Sequence, residues 1–202
     1  MRLIRYTLLA DGRSDSSLLP IIQWVVEENF QDFATQSAFA LDGIPPPSEG
    51  LRRRVDAAIA LYNCDLLFVH RDAEREPYAV RRRELDEALV GLGTSWVPVI
   101  PVRMTEAWLL GDEEAIRRAA ENPRGRVPLP LPVNARCEGL PDPKETLFGL
   151  LRTAADRPAR RPIDERRCRA RVAELTSSFA HLRDLDSFRR FERDVVHALN
   201  LI

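Results

Sequence analysis

Four acidic side chains stand directly after segments that have the composition of β-strands: Asp11, Asp72, Glu74 and Glu106. In a parallel sheet the carboxyl ends of the strands share one edge, so acids far apart in sequence can converge there. Left unpaired, they would repel one another and raise one another's pKa. A hard divalent cation removes that repulsion, because Mg²⁺ takes oxygen ligands and completes its shell with water. The sequence therefore predicts a Mg²⁺ (or Mn²⁺) site at this edge.

The spacing of Asp72 and Glu74 supports a shared ion. If the backbone stays extended beyond the strand, residues two apart point the same way and both carboxylates reach one cation. The alternative is that acids after strands are turn residues and helix caps. Glu106 equally fits the first turn of a helix, where a negative charge is favourable.

Two arginines and a histidine flank these acids. Arg13 and Arg71 could clamp a phosphate as planar donors, or form salt bridges with the neighbouring acids. His70 could serve as a base or ligand, or as a hydrogen-bonded packing residue. Gly12 has no glycine-rich partners and no Ser or Cys stands in a nucleophile elbow, so a nucleotide-binding loop and a hydrolase of that type are excluded.

The elements that must position these residues alternate between strand and helix. The apolar run at 65–70 is typical of a central strand that is buried on both faces. Apolar residues at helical spacing predict helices between the strands. The order β-α-β-α-β-α-β predicts an α/β fold: an open, mainly parallel four-stranded sheet with helices on both faces. The predicted strands cover residues 3–10, 35–40, 65–70 and 96–102.

The second half is less regular. Residues 104–110 and 113–120 are expected to be helical, and the proline-rich stretch at 122–142 a long loop. Asp142 and Pro143 then favour a helix start, as N-cap and first helical residue. An amphipathic helix ends the chain. We therefore expect an α/β domain at 1–120 and a C-terminal helical extension at 121–202 packed on it.

Composition and charge limit the classes of protein to which this chain can belong. The 202 residues carry 30 Lys+Arg against 31 Asp+Glu, a net charge of −1, so bulk charge gives no pull toward nucleic acid. Residues 157–171 are locally basic and could contact phosphates or form a solvated helix face. No run of 18 apolar residues occurs, so no membrane association is expected. Three scattered cysteines suit a cytoplasmic location.

The motifs resemble those of a known family. The turn at 9–15 (LADGRSD), the strand and acids at 66–74 (LLFVHRDAE), and the segment at 101–110 (PVRMTEAWLL) are similar to the Toprim domain. That metal-binding domain is shared by topoisomerases, primases and the overcoming-lysogenization-defect nucleases. The last segment resembles the Glu-Ala-Trp-Leu stretch of small stand-alone Toprim-like proteins. The resemblance spans about residues 3–112.

The resemblance implies a Toprim-like fold and a metal-dependent nuclease or other phosphotransfer protein acting on nucleic acid. It implies catalytic roles for Asp11, Asp72 and Glu74, metal binding by these acids and Glu106, and substrate contacts from Arg13 and Arg71. It also suggests defence against mobile elements and a partner ATPase. DNA, RNA and other phosphate substrates, and every oligomeric state, stay open.

Two positions depart from the family pattern. The family has Glu where Asp11 stands, and Asp where Glu74 stands. A proton-transfer group displaced by about 1 Å can lose on the order of 10²-fold in rate. The alternative function is therefore a catalytically inactive Toprim-like module that binds a protein or nucleic-acid partner, and a small-molecule phosphohydrolase is a third.

Overall fold

A four-stranded, all-parallel sheet forms the centre of the protein, as the sequence predicts. The computed structural model describes residues 2–158 and 161–202. The strands are β1 (Arg2–Leu9), β2 (Phe33–Ala40), β3 (Leu66–His70) and β4 (Ser95–Val99). Their order across the sheet is β2-β1-β3-β4, and all three neighbouring pairs are parallel. The carboxyl ends of β1 and β3 therefore lie side by side at one edge.

Side-chain alternation along the strands explains why both faces of the sheet are covered. Ile4, Tyr6 and Leu8 of β1 join one core, whereas Leu9 joins the other. All five residues of β3 are buried. A strand with no polar face is stable only between two layers, so the helices must pack on both sides.

The helices divide between the two faces. The residues of α1, α4, α5, α6 and α7 join the core on one face, and those of α2 and α3 join the core on the other. The bounds are α1 (Leu19–Asn29), α2 (Leu51–Leu61), α3 (Tyr78–Ala88), α4 (Glu113–Ala119), α5 (Pro143–Ala155), α6 (Glu165–Leu175) and α7 (Asp186–Asn200). None of the helices within the described residues is long and apolar enough to cross a bilayer.

Aspartate caps fix the start of three helices in the second half of the chain. The carboxylate of Asp142 accepts the backbone N–H of Glu145 at 2.9 Å, which confirms the predicted start of α5. Asp112 and Asp164 cap α4 and α6 in the same way. Asp15, in the turn after β1, accepts the backbone N–H of Gly12 at 3.0 Å. It braces the turn after β1.

Aromatic residues tie the C-terminal extension to the sheet. Trp108 is fully buried, and its ring centroid lies 5.4 Å from that of Phe188 and 5.6 Å from that of Phe191. Phe191 also contacts Phe68 of β3, at 6.1 Å. The indole N–H of Trp108 donates to the hydroxyl of Ser187 at 3.1 Å. The sheet and helix α7 thus share one core.

Two predicted elements are shorter in the structure. β4 ends at Val99, and its predicted continuation to residue 102 contains Pro101, which has no N–H to donate to a ladder. The segment expected to be helical at 104–110 forms only a 3₁₀ turn, Thr105–Leu109, before α4 begins. The polypeptide after β4 is therefore a turn that lies directly over the carboxyl end of the sheet.

A contact just before β3, at the opposite end of that strand, leads to a prediction about the stability of the protein. Asp65 accepts the backbone N–H of Arg5 at 2.8 Å and also faces its guanidinium, and these contacts lower the pKa of Asp65. We expect Asp65→Asn to reduce the free energy of unfolding at pH 7 by about 1–2 kcal/mol, because the charge-assisted hydrogen bonds are lost. Urea titration measures the difference.

The pH dependence has a defined sign. A carboxyl whose pKa is lowered by folding stabilises above its unfolded pKa of about 3.9, and that stabilisation is lost as the pH falls through the folded value. The gap between native protein and Asp65→Asn should therefore shrink below about pH 4. Asp86→Asn, an exposed acid on α3, is the matched control. A gap that does not change with pH would contradict the assignment.

Candidate functional site

The predicted site residues lie around the carboxyl edge of the sheet, but not in the arrangement expected. Two groups form there. The first contains Asp72 and Glu106, together with three side chains that were not predicted as site residues: Asp15, Thr105 and Arg169. The second group contains Asp11 and Arg71. Glu74 and Arg13 belong to neither group.

Asp72 is fixed by one residue at the end of β3 and one in the turn after β4. Its Oδ1 atom lies 3.2 Å from Nε2 of His70, the last residue of β3, and accepts the hydroxyl of Thr105 at 3.3 Å. Since a carboxylate can only accept, the contact with His70 places a proton on Nε2. The carboxylate is 30% exposed. Asp72 is thus both held in place and open to solvent.

His70 lies between Asp72 and Asp15 in the protein interior. The imidazole is buried, and its Nδ1 atom lies 3.7 Å from Oδ2 of Asp15, which is too far for a hydrogen bond. Within the described residues, this nitrogen has no hydrogen-bond partner. His70 is therefore hydrogen-bonded only through the nitrogen that faces Asp72. This favours its interpretation as a hydrogen-bonded packing residue.

Glu106 is buried beside a single buried arginine. Oε1 of Glu106 lies 3.0 Å from Nε of Arg169, and each side chain is 7% exposed. The N–H of Nε is not aligned for a hydrogen bond. Burial raises the pKa of Glu106; the charge of Arg169 opposes that rise, and the negative charge of Asp72 adds to it. Asp72 and Glu106 are thus close enough to repel one another.

Arg169 reaches this position from helix α6 of the C-terminal extension. Its Nη1 donates to the backbone oxygen of Ser14 at 2.9 Å, and Nη2 lies 3.9 Å from Asp15. Arg169 belongs to the basic stretch at 157–171, which the sequence predicts either to contact phosphates or to form a solvated helix face. Arg169 itself fits neither alternative, because its side chain points inward to Glu106 and Ser14. Arg160, in the same stretch, lies outside the described residues.

Asp11 departs from the predicted role because two arginines neutralise it. Nη1 of Arg54 donates to Oδ1 at 2.5 Å, and Nη1 of Arg71 donates to Oδ2 at 2.8 Å. Arg54 is itself buried and also donates to the backbone oxygens of Ala10 and Pro45. A carboxylate held between two guanidinium groups has its charge already compensated. Asp11 therefore does not stand free for a metal ion.

The two predicted phosphate contacts differ in their surroundings. Arg71 donates to Glu84 at 3.0 Å as well as to Asp11, which matches the salt-bridge alternative. Arg13 is exposed at the turn after β1 and forms no ion pair with any described residue.

Glu74 does not share a direction with Asp72. The strand ends at His70, and Glu74 adopts a left-handed backbone with φ 53°, so the extended geometry that the spacing argument required is absent. The Glu74 side chain is 68% exposed and faces Arg81 at 3.6 Å. The expected pair of ligands is reduced to Asp72 alone.

The donor set determines which metal sites are feasible. Among residues 2–158 and 161–202, no group of three or more His, Cys, Asp and Glu side chains is arranged to hold a metal ion. Mg²⁺, however, is commonly held by one or two carboxylates, with water and substrate phosphate completing the shell. Asp72 and Glu106 are the two carboxylates here that act on each other's charge, although Arg169 also compensates Glu106.

The sequence contains a pattern that could have identified Arg169, one of the three side chains of the first group that were not predicted. Arg169 lies at helical spacing with the buried residues Cys168, Val172 and Ala173, so it occupies the apolar stripe of α6. A charged residue on such a stripe needs a buried partner of opposite charge. Nothing in the sequence indicated that this partner would be Glu106.

Comparisons with protein-family models, with curated proteins and with solved structures find no match for this chain. Its function is therefore inferred from the residues and their geometry.

The Glu106–Arg169 pair supplies a second stability prediction. Arg169→Met should lower the free energy of unfolding by about 3–5 kcal/mol, because Glu106 would remain buried without a compensating charge. Adding Glu106→Gln should restore part of that loss. Chemical denaturation of both single variants and the double variant measures the coupling, with exposed Arg166→Met as control. Additive losses in the double variant would show that the pair is not coupled.

Proposed function

We propose that the protein is a Mg²⁺-dependent phosphodiester hydrolase that acts on nucleic acid in the cytoplasm. The observation that carries the proposal is the position of Asp72. It is a solvent-open carboxylate at the carboxyl edge of a parallel sheet, held by His70 and Thr105 and close enough to Glu106 to raise its pKa. Ligands of open α/β sheets bind at this edge.

The chemistry follows from the residues that would hold the ion. Asp72 would supply the exposed oxygen ligand and Glu106 a second one or an acceptor for a bound water. A bound Mg²⁺ supplies charge for a phosphate oxygen and lowers the pKa of a coordinated water. Thr105 and His70 orient Asp72, because both contact its Oδ1 atom. Asp11 holds Arg71 near the same edge rather than holding metal.

A second candidate function also has structural support. The carboxylates other than Asp72 are already paired with arginines: Asp11 with Arg54 and Arg71, and Glu106 with Arg169. A catalytically inactive Toprim-like module that binds a nucleic-acid or protein partner would have the same pairing. The two candidates differ in whether Asp72 binds a divalent cation.

The test compares native protein with Asp72→Asn, which preserves side-chain shape but removes the charge. Mn²⁺ and Mg²⁺ titrations by calorimetry should give saturable binding that is at least about 10-fold weaker in the variant, since even residues behind the ligands change affinity by 10–100-fold. Cleavage of labelled DNA and RNA oligonucleotides should fall by a similar or larger factor.

Asp56→Asn, an exposed acid on α2, is the matched control and should behave as the native protein. Equal cation affinity in native protein and Asp72→Asn would overturn the proposed metal site. Oligonucleotide binding without cation binding or cleavage would favour the inactive module. Hydrolysis of small phosphate esters without cleavage of nucleic acid would indicate the small-molecule phosphohydrolase.

A further inference from the structure

A cleft opens at the carboxyl edge of the sheet, beside Asp72. Its volume is about 470 Å³, within the range of ligand-binding sites. Three segments line it: the chain after β3, the turn after β4, and the residues that precede α5. The lining residues are Glu74, Arg75, Glu76, Arg81, Arg103, Met104, Pro141 and Asp142.

The cleft and Asp72 are built from the same two strand ends. The backbone N–H of Glu74 donates to the backbone oxygen of Arg103 at 3.0 Å, which joins two of the segments that line the cleft. Met104, on the cleft wall, is followed by Thr105, whose hydroxyl donates to Asp72. A phosphate chain bound at Asp72 would therefore continue into this cleft.

Backbone strain concentrates at this junction. Glu74 and Arg103 have φ angles of 53° and 67°, in the left-handed region that non-glycine residues rarely adopt. Such conformations cluster at functional sites. Here the two residues that adopt them are joined by the backbone hydrogen bond and line the cleft together.

The acids and arginines of the lining are not equally available. Arg81 is held by Glu84 at 2.8 Å and faces Glu74 at 3.6 Å, and the carboxylate of Asp142 caps helix α5. By contrast, Arg75 and Arg103 form no ion pair with any residue in the described ranges, and the same is true of the exposed acid Glu76. Two guanidinium groups thus remain available as donors, and guanidinium groups match phosphate oxygens in a bidentate geometry.

We propose that this cleft binds the phosphate groups of the nucleic-acid backbone next to the one at Asp72, through Arg75 and Arg103. The inference rests on the proposed function and specifies how its substrate is positioned. Phosphate contacts of this kind fix the register of a strand without reading its sequence. The cleft therefore accepts strands of different sequence with similar affinity.

The test measures binding of a fluorescent single-stranded oligonucleotide by anisotropy, without divalent cation, over a range of salt concentrations. Neutralised phosphates steepen the salt dependence by about 0.7 each for single strands. The double variant Arg75→Gln/Arg103→Gln should therefore bind more weakly and show a slope smaller by about 1.4. Arg103→Lys, which keeps the charge, should retain the slope.

The matched control, Arg118→Gln/Arg193→Gln, removes two exposed arginines that do not line the cleft and should leave both quantities unchanged. Competition by inorganic phosphate, a mononucleotide and an unlabelled oligonucleotide distinguishes a single phosphate site from a strand-binding cleft. Only the oligonucleotide should compete at low concentration. Competition by all three at equal phosphate concentration would overturn the strand-binding proposal.

The outcome separates the cleft from the catalytic proposal. A native slope and affinity in the double variant would overturn the role of the cleft, while loss of cleavage in Asp72→Asn would still support the hydrolase. A reduced slope in the double variant, with native cation binding in Asp72→Asn, would support the cleft and contradict the metal site. Circular dichroism of each variant verifies that the fold is retained.

Discussion

Compensation of negative charge at the carboxyl edge of the sheet is the constraint on which this site depends. The parallel topology brings acids from separate segments to one edge, where burial makes an uncompensated carboxylate costly. In this structure, guanidinium groups supply the compensating positive charge. Arg54 and Arg71 neutralise Asp11, and Arg169 faces Glu106 at 3.0 Å. Among the four predicted acids, only Asp72 stays at this edge without an arginine partner in the described residues.

The compensating arginines also make the C-terminal extension part of the site. Arg169 comes from α6, outside the predicted domain at 1–120, and it contacts Glu106 and the backbone of Ser14. Asp142, which caps α5, lines the cleft beside Asp72. The shared core of Trp108, Phe188 and Phe191 fixes this extension on the sheet.

The sequence predicted the fold better than the side-chain pairing. The wholly apolar run in β3 and the alternation of strands and helices depend on local periodicity, which one sequence displays directly. The cap at Asp142 is local in the same sense. The partners of Asp11 and Glu106, by contrast, are 43 and 63 residues away in the chain. Such pairings are set by tertiary packing, which periodicity does not encode.

The prediction for Glu74 shows that sequence patterns also fail to reveal side-chain geometry between residues that are close together in the chain. The spacing of Glu74 from Asp72 is compatible with a shared ion only if the chain stays extended, but the strand ends at His70 and Glu74 adopts a left-handed backbone. The backbone N–H of Glu74 donates to the oxygen of Arg103, which has a left-handed backbone as well, and both residues line the cleft. The sequence spacing of Asp72 and Glu74 does not show this local backbone conformation.

The pairing of acids with arginines is compatible with a hydrolase as well as with a binding module. An edge with several free carboxylates would repel the phosphates of a nucleic acid. Under the proposed function, the pairing of Asp11 and Glu106 with arginines would reduce that repulsion, and Asp72 would keep its charge for a cation. The guanidinium groups of Arg75 and Arg103 would then be the donors that meet the strand beside it. Whether Asp72 binds a divalent cation therefore decides between the two functions.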